Sequence, residues 1–138
     1  MSVLKRVSDG PTLVVCTTCK FSPQEPVNDD GQRGGQILLE AIQTLKQADS
    51  QYNGIEIEPM SCLFACSSHC TTHLRADGKI GYILASFEPT KEAATALLEY
   101  ARFYADSAEG VVPYPLWPEG VKGHFLARIP PAGMITTD

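Results

Sequence analysis

The stretch Thr12-Leu-Val-Val-Cys16-Thr-Thr-Cys19 decides how this chain folds. Its first five residues form a short apolar run rich in β-branched side chains, which predicts a buried strand that ends at the first cysteine. A second cysteine follows after two threonines. Because thiolates bind soft metals, this strand end predicts half of a metal or iron–sulfur site.

A second cysteine group follows another predicted strand. The alternating run Ile55-Glu-Ile-Glu comes directly after Asn53-Gly54 and predicts a half-buried strand, and beyond it lies Cys62-Leu-Phe-Ala-Cys66-Ser-Ser-His-Cys70. The residues between Cys19 and Cys62 suffice for one crossover helix and a return strand. If the two strands are neighbours, both cysteine groups lie at the same edge, where two loops can form one site.

The remaining patterns predict an α/β domain with the element order β-α-β-β-β-α. Apolar residues recur at helical spacing from Gln36, Asp77-Gly78 separates two strand-like runs as in a β-hairpin, and Pro89 opens a second helical pattern. From Gly110 the chain is rich in proline. We therefore predict a domain over residues 1–109 and a C-terminal extension over 110–138 that packs on it without a core of its own.

Length and cysteine content limit the class of protein. With 138 residues, 43% of them hydrophobic, the chain can bury a proper core without disulfides, so its five cysteines are free to carry chemistry. An odd number also argues against a disulfide framework. The first ten residues contain no signal-peptide core and no segment approaches a membrane span, so we expect a cytoplasmic protein that does not interact with membranes.

The charge of the chain limits its partners. A formal net charge of −5 and only one basic pair, Lys5-Arg6, argue against a nucleic-acid-binding module. Four thiolate ligands would make the site still more negative. A protein partner with a basic docking face is therefore expected.

The spacing of the cysteines leaves three kinds of site open. Zinc also takes four thiolates, but structural zinc half-sites usually repeat the two-residue spacing, whereas three residues separate Cys62 from Cys66. Spacing alone does not separate zinc from a [2Fe–2S] cluster, so a protein that binds zinc or another soft metal for structure, storage or delivery is the alternative. A thiol oxidoreductase using Cys16 and Cys19 is a third reading, which leaves three cysteines unexplained. The acidic residues show no paired arrangement that suggests acid–base catalysis. We expect an electron-transfer or metal-binding protein and not an enzyme, with thiol oxidoreductase activity left open.

The pattern as a whole resembles a known class of protein. A strand ending in cysteine, a helix, a strand, Cys62-x-x-x-Cys66, an Asp-Gly hairpin and a final helix resemble the thioredoxin-like [2Fe–2S] ferredoxins and the related small subunit of respiratory NADH dehydrogenases. The two cysteine groups and the closing Arg128-Ile-Pro-Pro131 are also similar to a bacterial family described only as predicted metal-binding proteins. The resemblance implies a thioredoxin-like electron carrier that holds one [2Fe–2S] cluster and forms a homodimer.

The resemblance also implies a ligand set. Cys62 and Cys66 match the second ligand pair of the ferredoxins, and Cys16 matches the first ligand at the strand end. The ferredoxins have their second ligand later in the first loop than Cys19, and Cys70 has no counterpart among their ligands. We predict that Cys16, Cys19, Cys62 and Cys66 bind the cluster, with Cys70 as the alternative to Cys19 or as a spare thiol.

Two further features of the sequence are weaker signals. His69 and His73 flank Cys70 and could bind metal, although histidines in such loops more often serve for hydrogen bonding or solvation. Gly34-Gly35 stands before the first predicted helix, whose N-terminus could receive an anion. No P-loop lysine follows this pair, so the motif alone does not indicate a phosphate site.

Overall fold

The computed structural model describes residues 2–138. A five-stranded sheet and two α-helices form its framework. In chain order the elements are β1 (Thr12–Cys16), α1 (Gly34–Ala48), β2 (Glu56–Met60), β3 (Thr72–Arg75), β4 (Gly81–Leu84), α2 (Lys91–Asp106) and β5 (Phe125–Ile129), with short 3-10 turns at Ser50–Tyr52, Tyr114–Leu116 and Glu119–Val121. The predicted order β-α-β-β-β-α is confirmed as far as α2.

The sheet is mixed and has the strand order β2-β1-β3-β4-β5. β1 pairs with β2 in parallel and with β3 in antiparallel orientation, and α1 provides the crossover between the parallel strands. All five residues of β1, an interior strand of the sheet, are buried. β3 and β4 pair as the hairpin predicted around Asp77-Gly78, and Gly78 adopts a left-handed φ of 73° there.

One continuous core holds the helices on the sheet. Leu13 and Val15 of β1 are fully buried with Leu38 of α1 and Leu97 of α2, and the two helices pack on each other. The predicted apolar periodicity of the helices therefore points to their real buried faces. Within residues 2–138, no helix is both long enough and apolar enough to cross a membrane.

The C-terminal extension contributes more to the fold than the sequence analysis predicts. Residues 125–129 form β5, which pairs antiparallel with β4 at the edge of the sheet. Four of its five residues are exposed, so the run Phe-Leu-Ala-Arg-Ile lacks the alternation by which a half-buried strand is recognised. The sequence analysis predicts no strand in this extension, so β5 is an element that only the structure shows.

Aromatic side chains attach the extension to the domain. Phe125 lies 5.3 Å from Tyr100 of α2 and 5.5 Å from Tyr82 of β4, measured between ring centroids. Trp117 packs against both Phe125 and Tyr100, and its indole N–H donates a 2.8 Å hydrogen bond to the carbonyl of Val112. The extension thus shares the core of the domain.

Candidate metal centre

The parallel pairing of β1 and β2 brings the two cysteine loops together. Cys16 is the last residue of β1 and lies in register with Met60, the last residue of β2. Just beyond them, Thr17 N–H donates a 2.9 Å hydrogen bond to the Met60 carbonyl. The expectation that both cysteine groups follow adjacent strand ends is confirmed.

Four of the five cysteines line one small pocket between these loops. Its volume is about 120 Å³, and its lining consists of Cys16, Thr18, Cys19, Lys20, Arg33, Cys62, Ala65 and Cys66. The first cysteine pair is buried, Cys62 is half-buried and Cys66 is exposed. The pocket therefore has an inner wall made by the first loop and an outer wall made by the second.

The thiols are not arranged as a closed coordination shell. Across residues 2–138, no three Cys, His, Asp or Glu side chains are close enough together to hold a metal ion. The four sulfurs would have to approach one another more closely before they could share one centre. The ligand set Cys16, Cys19, Cys62 and Cys66 thus stays a prediction, although the structure places all four around one pocket.

Cys70 occupies a different position. Its side chain is 0% exposed, belongs to the hydrophobic core and does not line the pocket. Its thiol donates to the carbonyl of Lys20 over 3.8 Å, and its backbone has a left-handed φ of 51°. In this arrangement Cys70 lies beneath the first cysteine loop and helps to hold it.

Backbone amides donate hydrogen bonds to two of the sulfurs. Thr71 N–H points to Cys19 Sγ over 3.4 Å, and Phe64 N–H points to Cys62 Sγ over 3.3 Å. Such donors stabilise thiolates and tune the metal centres that thiolates bind. Thiol donors and aimed amides together suit either a [2Fe–2S] cluster or a zinc ion.

The pKa values of the two thiols in the first cysteine pair shift in opposite directions. Burial acts to raise the pKa of Cys16, but hydrogen bonds from the Cys19 thiol and from the backbone N–H groups of Leu63 and Thr18 outweigh it and lower this pKa. Burial, together with the same bond to Cys16, raises the pKa of Cys19 to about 11. Cys16 is therefore the thiol that ionises first, with Cys19 as its donor.

Gly34 and Gly35 have a steric role at this site. A Cβ on Gly35 would lie 2.9 Å from the carbonyl carbon of Cys16, and one on Gly34 would lie 2.8 Å from Phe21 Cα. Gly35 N–H also donates a 3.2 Å hydrogen bond to the Cys19 carbonyl. The pair lets the start of α1 pack directly on the cysteine loop, which accounts for the motif without an anion.

Neither histidine lies at the pocket. His69 lines a separate cavity beside Ser86 and Glu88, and His73 lies within β3. Burial and then the charge of Arg75 lower the pKa of His73, so this side chain is neutral at physiological pH. The hydrogen-bonding or solvated role fits both residues better than metal ligation does.

Sequence reasoning missed two pocket residues, Lys20 and Arg33. Lys20 directly follows Cys19 in the sequence, so its place at the pocket could have been predicted. Arg33 directly precedes Gly34-Gly35, so its place beside the cysteines follows from the packing of α1 that these glycines permit. Only the structure shows that packing.

Alkylation of the metal-free protein should follow this geometry. We expect iodoacetamide to modify the exposed Cys66 first and to leave Cys70 unmodified until the chain unfolds. Burial, with the charges of Cys19 and Cys16, raises the pKa of Cys70 to about 12, so its reactive thiolate is scarce at any pH below that. Peptide mass spectrometry of native and urea-unfolded samples measures the order; early modification of Cys70 in native protein would contradict it.

The strand order, the helix packing and the buried β1 define a thioredoxin-like α/β protein. A thioredoxin-like [2Fe–2S] ferredoxin from Aquifex aeolicus has a similar structure, with a TM-score of 0.53, 20% identity, and coverage of 93% of this chain and 100% of that one. A crystal structure of the wild-type form of such a ferredoxin from the same organism gives a TM-score of 0.47 and 19% identity over 74% of this chain and 91% of that one. The first likeness confirms the predicted fold.

The family of the chain follows from its sequence. A family model described as protein of unknown function (DUF1636) matches residues 13–131, so the chain belongs to that family. The matched segment includes all five cysteines, from Cys16 to Cys70, and extends through β5. No curated protein matches the chain.

Proposed function

We propose that this protein is a small electron carrier that binds one [2Fe–2S] cluster through Cys16, Cys19, Cys62 and Cys66. The observation that carries the proposal is that two adjacent strand ends place these four cysteines around one pocket. A solved protein of similar fold is a [2Fe–2S] ferredoxin, which supports the choice of cofactor. Such a cluster supplies reversible uptake of a single electron.

The residues of the chain account for what a carrier needs. β1 and β2 fix the two loops, and the amides of Phe64 and Thr71 donate to sulfurs that would otherwise carry uncompensated charge. The buried first pair keeps water from the inner side of the pocket. Cys66 lies at the surface, so a docked protein can approach the site closely enough for electron transfer.

Purification without oxygen tests this proposal. We expect a brown protein with visible absorption and about two iron and two sulfide per chain, as the [2Fe–2S] formula requires. A colourless protein that contains about one zinc per chain would overturn it and establish the zinc alternative. Iron, sulfide and zinc assays on the same sample decide between these outcomes.

One observation favours the thiol oxidoreductase alternative. Cys16 has a lowered pKa and shares a hydrogen bond with Cys19, as an attacking thiol and its partner would. Against this reading, α1 begins only at Gly34, whereas a thioredoxin pair lies at the start of its helix. Reduction of insulin disulfides by the metal-free protein would support the oxidoreductase reading.

The assembly and the partner are part of the proposal. We propose a homodimer and a redox protein partner with a basic docking face, the latter in keeping with the net charge of −5. No membrane or nucleic acid takes part. The expected location is the cytoplasm, where cysteines stay reduced and available as ligands.

A further inference from the structure

Two cations line the pocket together with the four cysteines. Among residues 2–138, Lys20 and Arg33 are the only Lys, Arg, Asp or Glu side chains that line it. Neither cation takes part in any ion pair of the described residues. Those pairs join Arg102 to Glu99, Lys122 to Glu119 and Arg128 to Asp138.

The backbone at both cations is fixed by the fold. The Lys20 carbonyl accepts the thiol of Cys70, and the close approach of Gly34 holds the Lys20–Phe21 segment against the start of α1. The Arg33 carbonyl accepts the amide of Ile37 in the first turn of the helix over 3.1 Å. Both side chains therefore start from rigid positions at the pocket, although Arg33 itself is solvent-exposed.

The charge of a thiolate metal site explains why cations belong there. Four thiolates around a zinc ion or an oxidised [2Fe–2S] cluster would leave the site with a net charge of about −2. A cluster, unlike zinc, would become one unit more negative on taking up one electron from the partner. No bond forms or breaks in that step. In a half-buried pocket this charge is poorly solvated, so its energy depends on nearby charges.

We propose that Lys20 and Arg33 are charge-compensating residues of the metal centre, which favour metal binding by the thiolates and stabilise the reduced form. This inference rests on the proposed function, because it assigns roles to residues around the same pocket. Each cation is partly or fully exposed, so solvent and salt reduce its effect. We expect each neutralised charge to shift the reduction equilibrium by about threefold to tenfold, where tenfold corresponds to about 59 mV for one electron.

The test uses the full chain with its metal centre. Lys20→Gln and Arg33→Gln should each lower the midpoint potential, their combination should lower it further, and the shifts should shrink as salt is raised. Lys20→Arg and Arg33→Lys keep the charge and should retain the wild-type potential. Lys46→Gln is a matched control in the last turn of α1, about 20 Å along the helix from Arg33.

A second measurement does not require a cluster. The metal-free protein is titrated with Co²⁺, whose thiolate complexes absorb visible light, and we expect Lys20→Gln and Arg33→Gln to weaken binding about threefold to tenfold while Lys46→Gln does not. If the wild type holds no iron, the proposed cluster fails but this titration still tests the cations. Potentials and affinities equal to those of Lys46→Gln would overturn the inference, as would loss of the wild-type values in the charge-keeping variants.

Discussion

Replacement of Cys62 by serine is expected to abolish the metal centre, whereas replacement of Cys70 is expected to leave it in place. Cys62 lines the pocket and its sulfur accepts the amide of Phe64, so a serine removes a thiolate from the site itself. Loss of residues that only support ligands already weakens metal binding about 10- to 100-fold, and loss of a ligand should exceed that. Iron and sulfide per chain measure the effect.

Cys70 provides the matched control for this experiment. Because its side chain is fully buried in the core, Cys70→Ala is the better variant, since serine would place a hydroxyl among apolar neighbours. We expect Cys70→Ala to keep wild-type iron and visible absorption, with a modest loss of stability measured by thermal unfolding. A folded Cys70→Ala protein without iron would make Cys70 a ligand, as the alternative to Cys19, and a Cys62→Ser protein with full iron would remove Cys62 from the ligand set.

The cysteine spacing and the strand patterns predict most of the site because both depend on local sequence. β1 is a buried run that ends at Cys16, and Ile55-Glu-Ile-Glu predicts β2 because a half-buried strand alternates. The parallel pairing of these strands then follows from the helix between them. From the sequence alone, these steps lead to one pocket lined by two loops.

What the sequence does not predict depends on tertiary contacts. β5 is an exposed edge strand, so its residues carry no alternation, and its place is set by pairing with β4 and by the packing of Phe125. Arg33 is distant from every cysteine in the sequence and reaches the pocket only because α1 packs on the first cysteine loop. A local pattern carries no information about such an approach.

Gly35→Ala is expected to destabilise the fold and remove the metal centre, against the usual preference of helices for alanine. Within a helix, alanine is about 1 kcal/mol more favourable than glycine. At Gly35, however, the new Cβ would overlap the carbonyl group of Cys16, which is rigid backbone in the sheet and cannot move aside as a flexible side chain does. We expect the free energy of unfolding to fall by about 3 kcal/mol, at the upper end of ordinary overpacking costs.

Gly54→Ala separates this steric cause from a general effect of removing a glycine. Gly54 lies in the turn before β2, and a Cβ there would meet no atom within 4 Å. We expect the free energy of unfolding of that variant to lie within about 0.5 kcal/mol of the wild-type value, as is usual for surface substitutions. The variant should also keep its metal. Urea unfolding and metal content of both variants make the comparison. The prediction would be contradicted if Gly35→Ala were as stable as Gly54→Ala and held as much metal. In that case the pocket would not depend on the close packing of α1 on the Cys16 loop.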